Sequence, residues 1–180
     1  MQLFRLHCSI VPSDTLKTHV AGVLTRHPEW EHTLAGFQAE GAWMVGDWDE
    51  VQKLVERTND QSSSMVLARV LLAMREGNQD TISDALSRAR MTLGGPIVAG
   101  GIGVYRRSYD AVLELHLTHE LELIYQTTCT AISGSQNNEK WRLRAISDLS
   151  RVLSNRLDLT LPTFRSREPV LSMRRTAFSL

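Results

Sequence analysis

The stretch Val45-Gly46-Asp47-Trp48-Asp49-Glu50-Val51 lies between two apolar segments and predicts how they are connected. Gly46 suits the position after a helix, because glycine readily adopts the left-handed conformation with which many helices end. Asp47 and Glu50 have the spacing of a capping box, with Asp where Ser or Thr is usual. One helix therefore ends and the next begins within about three residues, which predicts an αα-hairpin.

The same pattern recurs along the chain. Gly77-Asn78-Gln79 follows an apolar helix end and precedes a helix predicted for Ser83 to Met91, and Ser108-Tyr109-Asp110 leads into a leucine-rich stretch. Aligning Trp48, Gln79 and Tyr109 gives a repeat of about 30 residues, close to the ~34 of tetratricopeptide-type helix pairs. Each pair has an apolar face that only its neighbour can bury. We predict an all-α fold, an antiparallel helix-pair solenoid of tetratricopeptide-like repeats that is incomplete at both ends.

The whole chain, residues 1–180, is assigned to one helical-repeat domain. Helix pairs are predicted over about residues 13–132, a polar loop over 133–140 and further helices over 141–180. One helix is expected from Pro28 to Met44, and Trp141 to Val152 is expected to bury Leu143, Ile146 and Leu149. Residues 113–117 alternate like a strand, but the spacing of Leu113, Leu117, Leu121 and Ile124 favours a helix. The glycine-rich residues 94–103 are predicted to connect two helices.

The stretch from Arg165 to Arg175 predicts the start of a helix. Proline is favoured in the first turn of a helix, so Pro169 is expected near its beginning. Val170, Leu171 and Met173 supply apolar positions after it. No Gly, Asn or Pro follows to end the helix before Leu180. We therefore expect a helix that does not finish within the chain.

Composition favours a globular intracellular protein. Lysine and arginine balance aspartate and glutamate at 20 each, so the chain lacks the basic surplus typical of nucleic-acid binders. Cys8 and Cys129 are too few for a disulfide framework, which favours a reducing compartment. No apolar run approaches the ~20 residues of a membrane span, and the first residues lack the apolar core of a signal peptide.

His116, His119 and Glu120 resemble a scrambled zinc motif. Zinc proteases use the order H-E-x-x-H, which places the ligands one turn apart. Here the histidines are three residues apart with Glu120 adjacent to the second, and no third ligand is evident. We therefore interpret both histidines as structural or surface residues. The glycine-rich residues 94–103 likewise lack the Lys-Ser/Thr of a phosphate-binding loop.

The tryptophans and arginines are interpreted as structural too. The four tryptophans, Trp30, Trp43, Trp48 and Trp141, are expected to pack between helices. A second group of residues alternates with acidic side chains and is expected to form a solvated mixed face: Arg142, Arg144, Arg151 and Arg156. No catalytic, cofactor-binding or metal-binding residue is predicted.

Several short stretches together resemble a known family. They are Ala42-Trp43, Trp48-Asp49, Tyr105-x-Arg107-x-Tyr109, Leu115-His116, Glu120-Leu121-Glu122, Arg156-Leu157-Asp158-Leu159-Thr160, Phe164-Arg165, Glu168-Pro169-Val170-Leu171 and Arg174-Arg175. Their order and spacing resemble the FAT region of the ATR-type DNA-damage checkpoint kinases, of the phosphatidylinositol 3-kinase-related family. The likeness is colinear from about Leu16 to Leu180.

The resemblance implies a non-catalytic scaffold segment of a nuclear serine/threonine kinase that acts in checkpoint signalling and DNA repair. Its expected partners are the kinase domain and neighbouring repeats of the same chain, a recruiting subunit and a second copy in a homodimer, with no direct nucleic-acid or membrane site. ATP and Mg or Mn are implied for the kinase domain and not for this segment. The residues expected to support the scaffold are Trp43, Trp48, Tyr105, Arg107, Tyr109, His116, Glu120, Arg165, Glu168, Pro169, Arg174 and Arg175. Arg165 and Glu168 are expected to act as polar ties at a joint, with Pro169 setting the entry into the next helix.

Two other functions stay open from the sequence. A free-standing helical-repeat adaptor would bind a peptide or partner helix. A metal- or nucleotide-dependent enzyme would bind zinc or ATP as the isolated chain.

Overall fold

The computed structural model describes residues 13–99, 105–133 and 139–180, and every regular element within them is helical. The elements are α1 Ser13–Arg26, a 3-10 turn Pro28–Trp30, α2 Glu31–Val45, α3 Trp48–Arg57, α4 Ser63–Glu76, α5 Gln79–Ala99, α6 Tyr105–Ser133, α7 Glu139–Asp158 and α8 Phe164–Phe178. The predicted all-α class is confirmed. Residues 113–117 are helical, because the stripe that continues through Leu121 and Ile124 is buried along α6.

The chain divides into two compact units, Met1–Gly95 and Pro96–Leu180. In the described residues, the first unit is built from α1 to α4 and most of α5, and the second from α6, α7 and α8.

The α2–α3 connection has the predicted geometry. Gly46 has φ 78°, and its N–H donates to the carbonyls of Ala42 and Trp43, so it closes α2 in the left-handed conformation. The Asp47 side chain accepts a hydrogen bond from the Glu50 amide at 3.3 Å, which caps the first turn of α3. The Gly46 cap and the Asp47 cap therefore determine where α2 ends and α3 begins.

The repeat predicted from the alignment of Trp48, Gln79 and Tyr109 is confirmed at its second copy and wrong at its third. Gly77 has φ 73° and closes α4, and α5 begins at Gln79 instead of the expected Ser83. Trp48 and Gln79 thus both begin helices. Tyr109, however, lies inside α6, which begins at Tyr105. The Ser108–Asp110 segment contains no glycine that could adopt a left-handed cap, so the helix continues through it.

The centre of the first unit depends on small residues. A Cβ atom at Gly36 of α2 would lie 2.7 Å from Ser62 Oγ, so a larger residue could not fit without a shift at the start of α4. Ala35, directly before Gly36, and Ala39, about one turn after it, are fully buried. Ser64 of α4 donates to Glu40 of α2 at 3.2 Å. These contacts bring α2 and α4 close together.

Two predicted boundaries in this unit are wrong. The helix expected from Pro28 begins as a 3-10 turn, and α2 starts at Glu31. The connection expected over residues 94–103 is helical as far as Ala99, whereas residues 100–103 lie outside the described residues. Glycine in a helix costs about 1 kcal/mol relative to alanine. The buried stripe of Ile82, Leu86, Ala89 and Leu93 provides packing that offsets this cost.

In the second unit, α7 is longer than predicted and buries other residues. It runs from Glu139 to Asp158 and buries Leu149 and Leu153. Leu143 and Ile146 are exposed, so two of the three expected core positions are wrong. Both buried leucines, Leu149 and Leu153, lie in the second half of α7. The ends of the polar loop predicted over 133–140 are wrong, since residues 133, 139 and 140 are helical, and residues 134–138 lie outside the described residues.

The last helix begins earlier than its proline suggested. The Thr163 side chain accepts a hydrogen bond from the Ser166 amide and caps α8 at Phe164. Pro169 therefore lies in the second turn instead of the first, and the helix ends at Phe178. The expectation that Pro169 lies in the first turn is wrong, because a threonine cap outweighs the preference of proline for the first turn. The expectation that the helix does not finish within the chain stays a prediction, because only two residues follow Phe178.

Candidate functional site

The buried carboxylate of Glu120 is the centre of the candidate site. Glu120 lies on α6 between Leu117 and Leu121 and is 4% exposed. An unpaired charge at such a position would carry a large desolvation cost. Its partners therefore decide whether this part of the fold is stable.

Arg174 of α8 is the principal partner of Glu120. Its Nε donates to Glu120 Oε2 at 2.8 Å and its Nη2 donates to Glu120 Oε1 at 2.9 Å, which is a bidentate pair. Arg174 Nη2 also donates to the Leu153 carbonyl of α7 at 2.8 Å. A single side chain of α8 thus reaches both other helices of the unit, and its planar guanidinium suits this geometry better than a lysine would.

Arg156 of α7 completes the network. Its Nε donates to Glu120 Oε1 at 3.2 Å, and its Nη2 lies 2.7 Å from His116 Nδ1. Because a guanidinium can only donate, His116 Nδ1 must accept, which places the proton of the neutral imidazole on Nε2. Burial and the neighbouring Arg156 charge lower the pKa of His116, while the Glu120 carboxylate opposes part of this effect. We call Glu120, Arg174, Arg156 and His116 the Glu120 network.

A cavity of about 150 Å³ lies beside this network. Its apolar wall includes Leu113, Leu117 and Val170, and its polar wall includes Tyr109. The Leu161 amide donates to Tyr109 Oη at 3.0 Å, so the α7–α8 connection is attached to the first half of α6. The site thus combines a buried ion network with a second attachment point at the same end of the unit.

The predicted joint around Pro169 is only partly polar. Arg165 Nη2 lies 3.8 Å from Asp110 Oδ2, and both side chains are mostly exposed, so this pair contributes little. Burial raises the pKa of Glu168, and the Arg175 charge offsets part of that rise. Glu168 is therefore partly desolvated. The role of Arg165 and Glu168 as ties stays a prediction.

The first unit places the two tryptophan candidates differently. Trp43 is buried at 4% exposure in α2, as expected for a packing residue. Trp48 is half-buried, and the Arg75 guanidinium carbon lies 5.7 Å from its ring centroid. Trp30 and Trp141 are exposed, so the expectation that all four tryptophans pack between helices is wrong. Trp30 instead stacks on the ring of His27, with centroids 4.6 Å apart.

Two candidates from the sequence have no described side chain. Tyr105 and Arg107 belong to the first turn of α6, and their side chains lie outside the described residues, as does all of Cys8. Tyr109, His116, Glu120 and Arg174 are brought together in one unit, whereas Trp43 and Trp48 belong to the other.

Sequence reasoning missed the roles of Arg156 and Arg69. Arg156 was assigned to a solvated mixed face, but its side chain is only 19% exposed. It follows Leu149 and Leu153 on one helical stripe, and this spacing could have indicated an inward-facing cation. Arg69 of α4 donates to the carbonyls of Thr58 and Asp60 at 3.3 and 2.8 Å and holds the α3–α4 connection. Burial lowers the pKa of Arg69.

The network is arranged to hold helices. The contacts of the Glu120 network join α6, α7 and α8 to one another, and its ion pairs are directed at neighbouring protein groups. His119 pairs with Glu122 at 3.2 Å on the surface and does not join His116. Within the described part of the chain, no group of three or more His, Cys, Asp or Glu residues could hold a metal ion. None of the described helices is both long and apolar enough to cross a membrane.

The fold and the site define a helical structural segment, and the comparisons with known proteins name its family. The FAT domain family matches residues 35–180, and this chain belongs to that family. It is 28% identical to the serine/threonine-protein kinase ATR of Arabidopsis thaliana over 92% of its length, and 28% identical to the same-named kinase of Oryza sativa subsp. indica over 90%. It is 24% identical to the serine/threonine-protein kinase TOR of Arabidopsis thaliana over 52% of its length.

The alignments cover a small part of these relatives. The chain spans about 6% of either ATR sequence and about 4% of the TOR sequence. No solved structure matches the chain.

Proposed function

We propose that this chain is a non-catalytic helical scaffold segment of an ATR-like serine/threonine kinase that acts in DNA-damage checkpoint signalling and DNA repair in the nucleus. The observation that carries the proposal is the similarity to two kinases named ATR over 90% or more of this chain, together with the FAT domain match over residues 35–180. The partial similarity to TOR is consistent with a broader kinase family.

The Glu120 network supports a mechanical role. Breaking a buried charge pair by removing one partner costs about 3–5 kcal/mol, so sliding α8 along α6 would be opposed by a cost of this order. The bidentate Arg174 contact also restricts rotation, because two parallel hydrogen bonds need a fixed geometry. A segment held in this way can transmit force between the parts of the protein that it joins.

The rest of the proposed kinase supplies the chemistry. ATP and Mg or Mn would bind in a kinase domain, which this segment would support together with neighbouring helical repeats. A recruiting subunit and a second copy in a homodimer are the other proposed partners. In this assignment Trp43 and Trp48 stabilise the first unit, and Tyr109, His116, Glu120 and Arg174 stabilise the second.

Tagging the endogenous gene tests the proposal. We expect the tagged product to be many times larger than the 20.3 kDa of this chain. Its immunoprecipitate should phosphorylate serine/threonine peptides, and blocking replication should increase that activity. A tagged product of about this size whose precipitate lacks kinase activity would contradict the proposal and favour a free-standing adaptor.

A variant of the same gene tests the scaffold role separately. Arg174→Met in the tagged protein should reduce the amount of active kinase, whereas Arg151→Met, at an exposed arginine of α7, should not. Equal activity and equal protein levels in the two variants would exclude a supporting role for the Glu120 network in the whole protein.

A further inference from the structure

The Glu120 network contains one more positive charge than negative charge. Both carboxylate oxygens of Glu120 accept from Arg174, at 2.8 and 2.9 Å, so this bidentate pair balances one cation with one anion. Arg156 adds a second cation, which meets Glu120 Oε1 at the longer distance of 3.2 Å. Its other side-chain partner is the neutral ring of His116. Among the described residues, Arg156 therefore has no carboxylate that is not already paired, although its side chain is only 19% exposed.

This surplus cation lines the cavity of about 150 Å³ beside the network. Glu120 and Arg156 are the only charged side chains among the described residues of its lining. Most of the remaining wall is aliphatic and consists of Val112, Leu113, Leu117, Leu159 and Val170. An apolar cavity of about 150 Å³ is large enough to hold a ring the size of benzene. The lining therefore favours a small apolar ligand that carries one negative charge.

The cavity is too narrow for another segment of protein backbone. Leu117 and Val170 line it and yet are only 4% and 1% exposed. An α-helix with its side chains is about 10 Å across and could not reach these two residues. A small molecule could reach them, because it needs space only for its own few atoms.

Two groups of the cavity can donate hydrogen bonds to a negative charge. Arg156 Nη1 makes no hydrogen bond to the described residues, since Nε and Nη2 make those that this side chain has. Tyr109 Oη accepts from the Leu161 amide at 3.0 Å, so its phenolic hydrogen can still donate. A carboxylate can accept from both groups, and charge-assisted hydrogen bonds are about twice as strong as neutral ones.

We propose that this cavity binds a small monocarboxylate with a compact apolar body, about the size of benzoate. The apolar body would lie against Leu113, Leu117 and Val170, and the carboxylate would pair with Arg156 and accept from Tyr109. Such a ligand would stabilise the second unit, because it binds the folded chain and joins side chains of α6, α7 and α8. The inference goes beyond the scaffold role and does not rest on it, since it uses only the charges and walls of this cavity.

Three ligands of nearly the same shape test the proposal with the 180-residue chain. Benzoate, benzamide and benzamidine share a ring and a planar substituent, and at pH 7.5 they are negative, neutral and positive. Titrations followed by ¹H–¹⁵N NMR at constant ionic strength measure Kd. We expect benzoate to bind at least about tenfold more tightly than benzamide, and benzamidine to bind more weakly than either. Equal binding of benzoate and benzamide, or no binding of benzoate up to about 10 mM, would overturn the proposal.

Competition with simple anions separates this site from general attraction of negative charge. Acetate and inorganic phosphate carry charge but no ring, so they bury little or no apolar surface. Each should displace benzoate only at concentrations at least about tenfold above the Kd of benzoate. Displacement at concentrations close to that Kd would indicate an adventitious ion only and would contradict a site for an apolar carboxylate.

Removal of one hydroxyl locates the ligand. Tyr109→Phe and its matched control Tyr125→Phe each remove a phenolic hydroxyl from α6, at positions about 24 Å apart along the helix. Tyr109→Phe should weaken benzoate binding by about threefold or more, and Tyr125→Phe should change Kd by less than about twofold. Equal effects of the two substitutions would show that benzoate binds elsewhere.

Removal of the surplus cation tests the origin of the charge preference. In Arg156→Gln, the ratio of the benzamide Kd to the benzoate Kd should fall to about twofold or less, and an unchanged ratio would exclude Arg156 as the partner of the carboxylate. Arg156 also contacts Glu120, so a second variant is used in case this one does not fold. Leu113→Phe fills the cavity and leaves the network intact, and it should abolish binding of benzoate and benzamide alike. Retained benzoate binding in Leu113→Phe would overturn the assignment of the cavity.

Discussion

Glu120 of α6 and Arg174 of α8 are 54 residues apart in sequence and form a buried bidentate ion pair with donor–acceptor distances of 2.8 and 2.9 Å. Arg174 also donates to the Leu153 carbonyl, and Arg156 of α7 pairs with the same carboxylate. The three helices of the second unit thus share one carboxylate. Since buried ion pairs are costly to desolvate, we regard this network as a device for fixing helix positions more than as a source of net stability.

Removing one partner of the pair should destabilise the chain strongly. Arg174→Met retains much of the apolar stem but leaves Glu120 with Arg156 alone, so we expect the free energy of unfolding to fall by about 3 kcal/mol. Urea denaturation followed by circular dichroism measures this change. Arg151→Met is the matched control and should change stability by less than about 0.5 kcal/mol, because Arg151 is 74% exposed and pairs with Asp148 at the surface. A loss of that small size in Arg174→Met would contradict the account.

The Glu120 network should make stability depend on pH. The folded chain lowers the pKa of His116 through burial and through the Arg156 charge, with an opposing effect of Glu120 and a further lowering by His119. His116 therefore binds a proton more readily in the unfolded chain than in the folded one. Its contribution to the free energy of unfolding is complete above the unfolded pKa of about 6.5 and is lost as pH falls below that value. Protonation would also place a second donor against Arg156 Nη2.

Urea denaturation at several pH values between 5.5 and 7.5 measures this dependence. His116→Asn can still accept from Arg156 but cannot titrate, and it should lose less stability than the native chain as pH falls. His32→Asn serves as the control, since His32 is exposed and belongs to the first unit. An unchanged pH dependence in His116→Asn would rule out His116 as the titrating group.

Tyr109 should hold the connection between α7 and α8. Tyr109→Phe removes the acceptor of the Leu161 amide while it retains the aromatic ring. We expect a loss of about 0.5 kcal/mol, at the low end for a hydrogen bond, because this contact is exposed and water can replace the hydroxyl. Amide hydrogen exchange gives the more direct measurement. The Leu161 amide should exchange faster in the variant, and an unaltered exchange rate would show that the hydrogen bond does not form in solution.

Alanine should be disfavoured at the two glycine caps because of their backbone conformation. Gly46 and Gly77 have positive φ, and an added Cβ would meet no atom within 4 Å at either position. Gly46→Ala and Gly77→Ala should each cost about 1–2 kcal/mol, because an L-residue is disfavoured in the left-handed region. Thermal and urea denaturation measure these losses.

Gly22 provides a control with the opposite sign. It lies inside α1, where an added Cβ also meets no atom within 4 Å. Gly22→Ala should therefore stabilise the chain by about 0.5–1 kcal/mol, since alanine is the better helix former. Destabilisation by Gly22→Ala, or no loss in Gly46→Ala, would show that the backbone conformations assigned to these positions are incorrect.

The parts of the fold that could be predicted depend on local chemistry. The Gly46 cap, the Asp47 cap and the helical assignment of residues 113–117 follow from neighbours in sequence, and the structure has them. The helix through Gly94 was missed because distant packing of Ile82 and Leu86 outweighs its low local propensity. Pro169 was placed one turn too early because Thr163 provides the stronger helix start.

Most residues of the site could be predicted from the sequence, but the pairs that they form could not. His116, Glu120 and Arg174 were expected to support the scaffold, and they belong to one network. Arg156 was not expected there, because Glu139, Asp148 and Asp158 are interleaved with the arginines of this stretch and indicated a solvated face. Pairing across 36 and 54 residues is decided by how the helices pack, and one sequence carries no record of that packing.

A double-mutant cycle on Glu120 and Arg174 tests the central claim most directly. The cycle compares the unfolding free energies of the 180-residue chain, Glu120→Gln, Arg174→Met and the combined variant, each from urea denaturation at pH 7.5. The account predicts a coupling energy of about 2 kcal/mol or more, because residues of one buried network are strongly non-additive. A coupling below about 0.5 kcal/mol, within the range of independent sites, would contradict the claim that this pair holds α6 and α8 together.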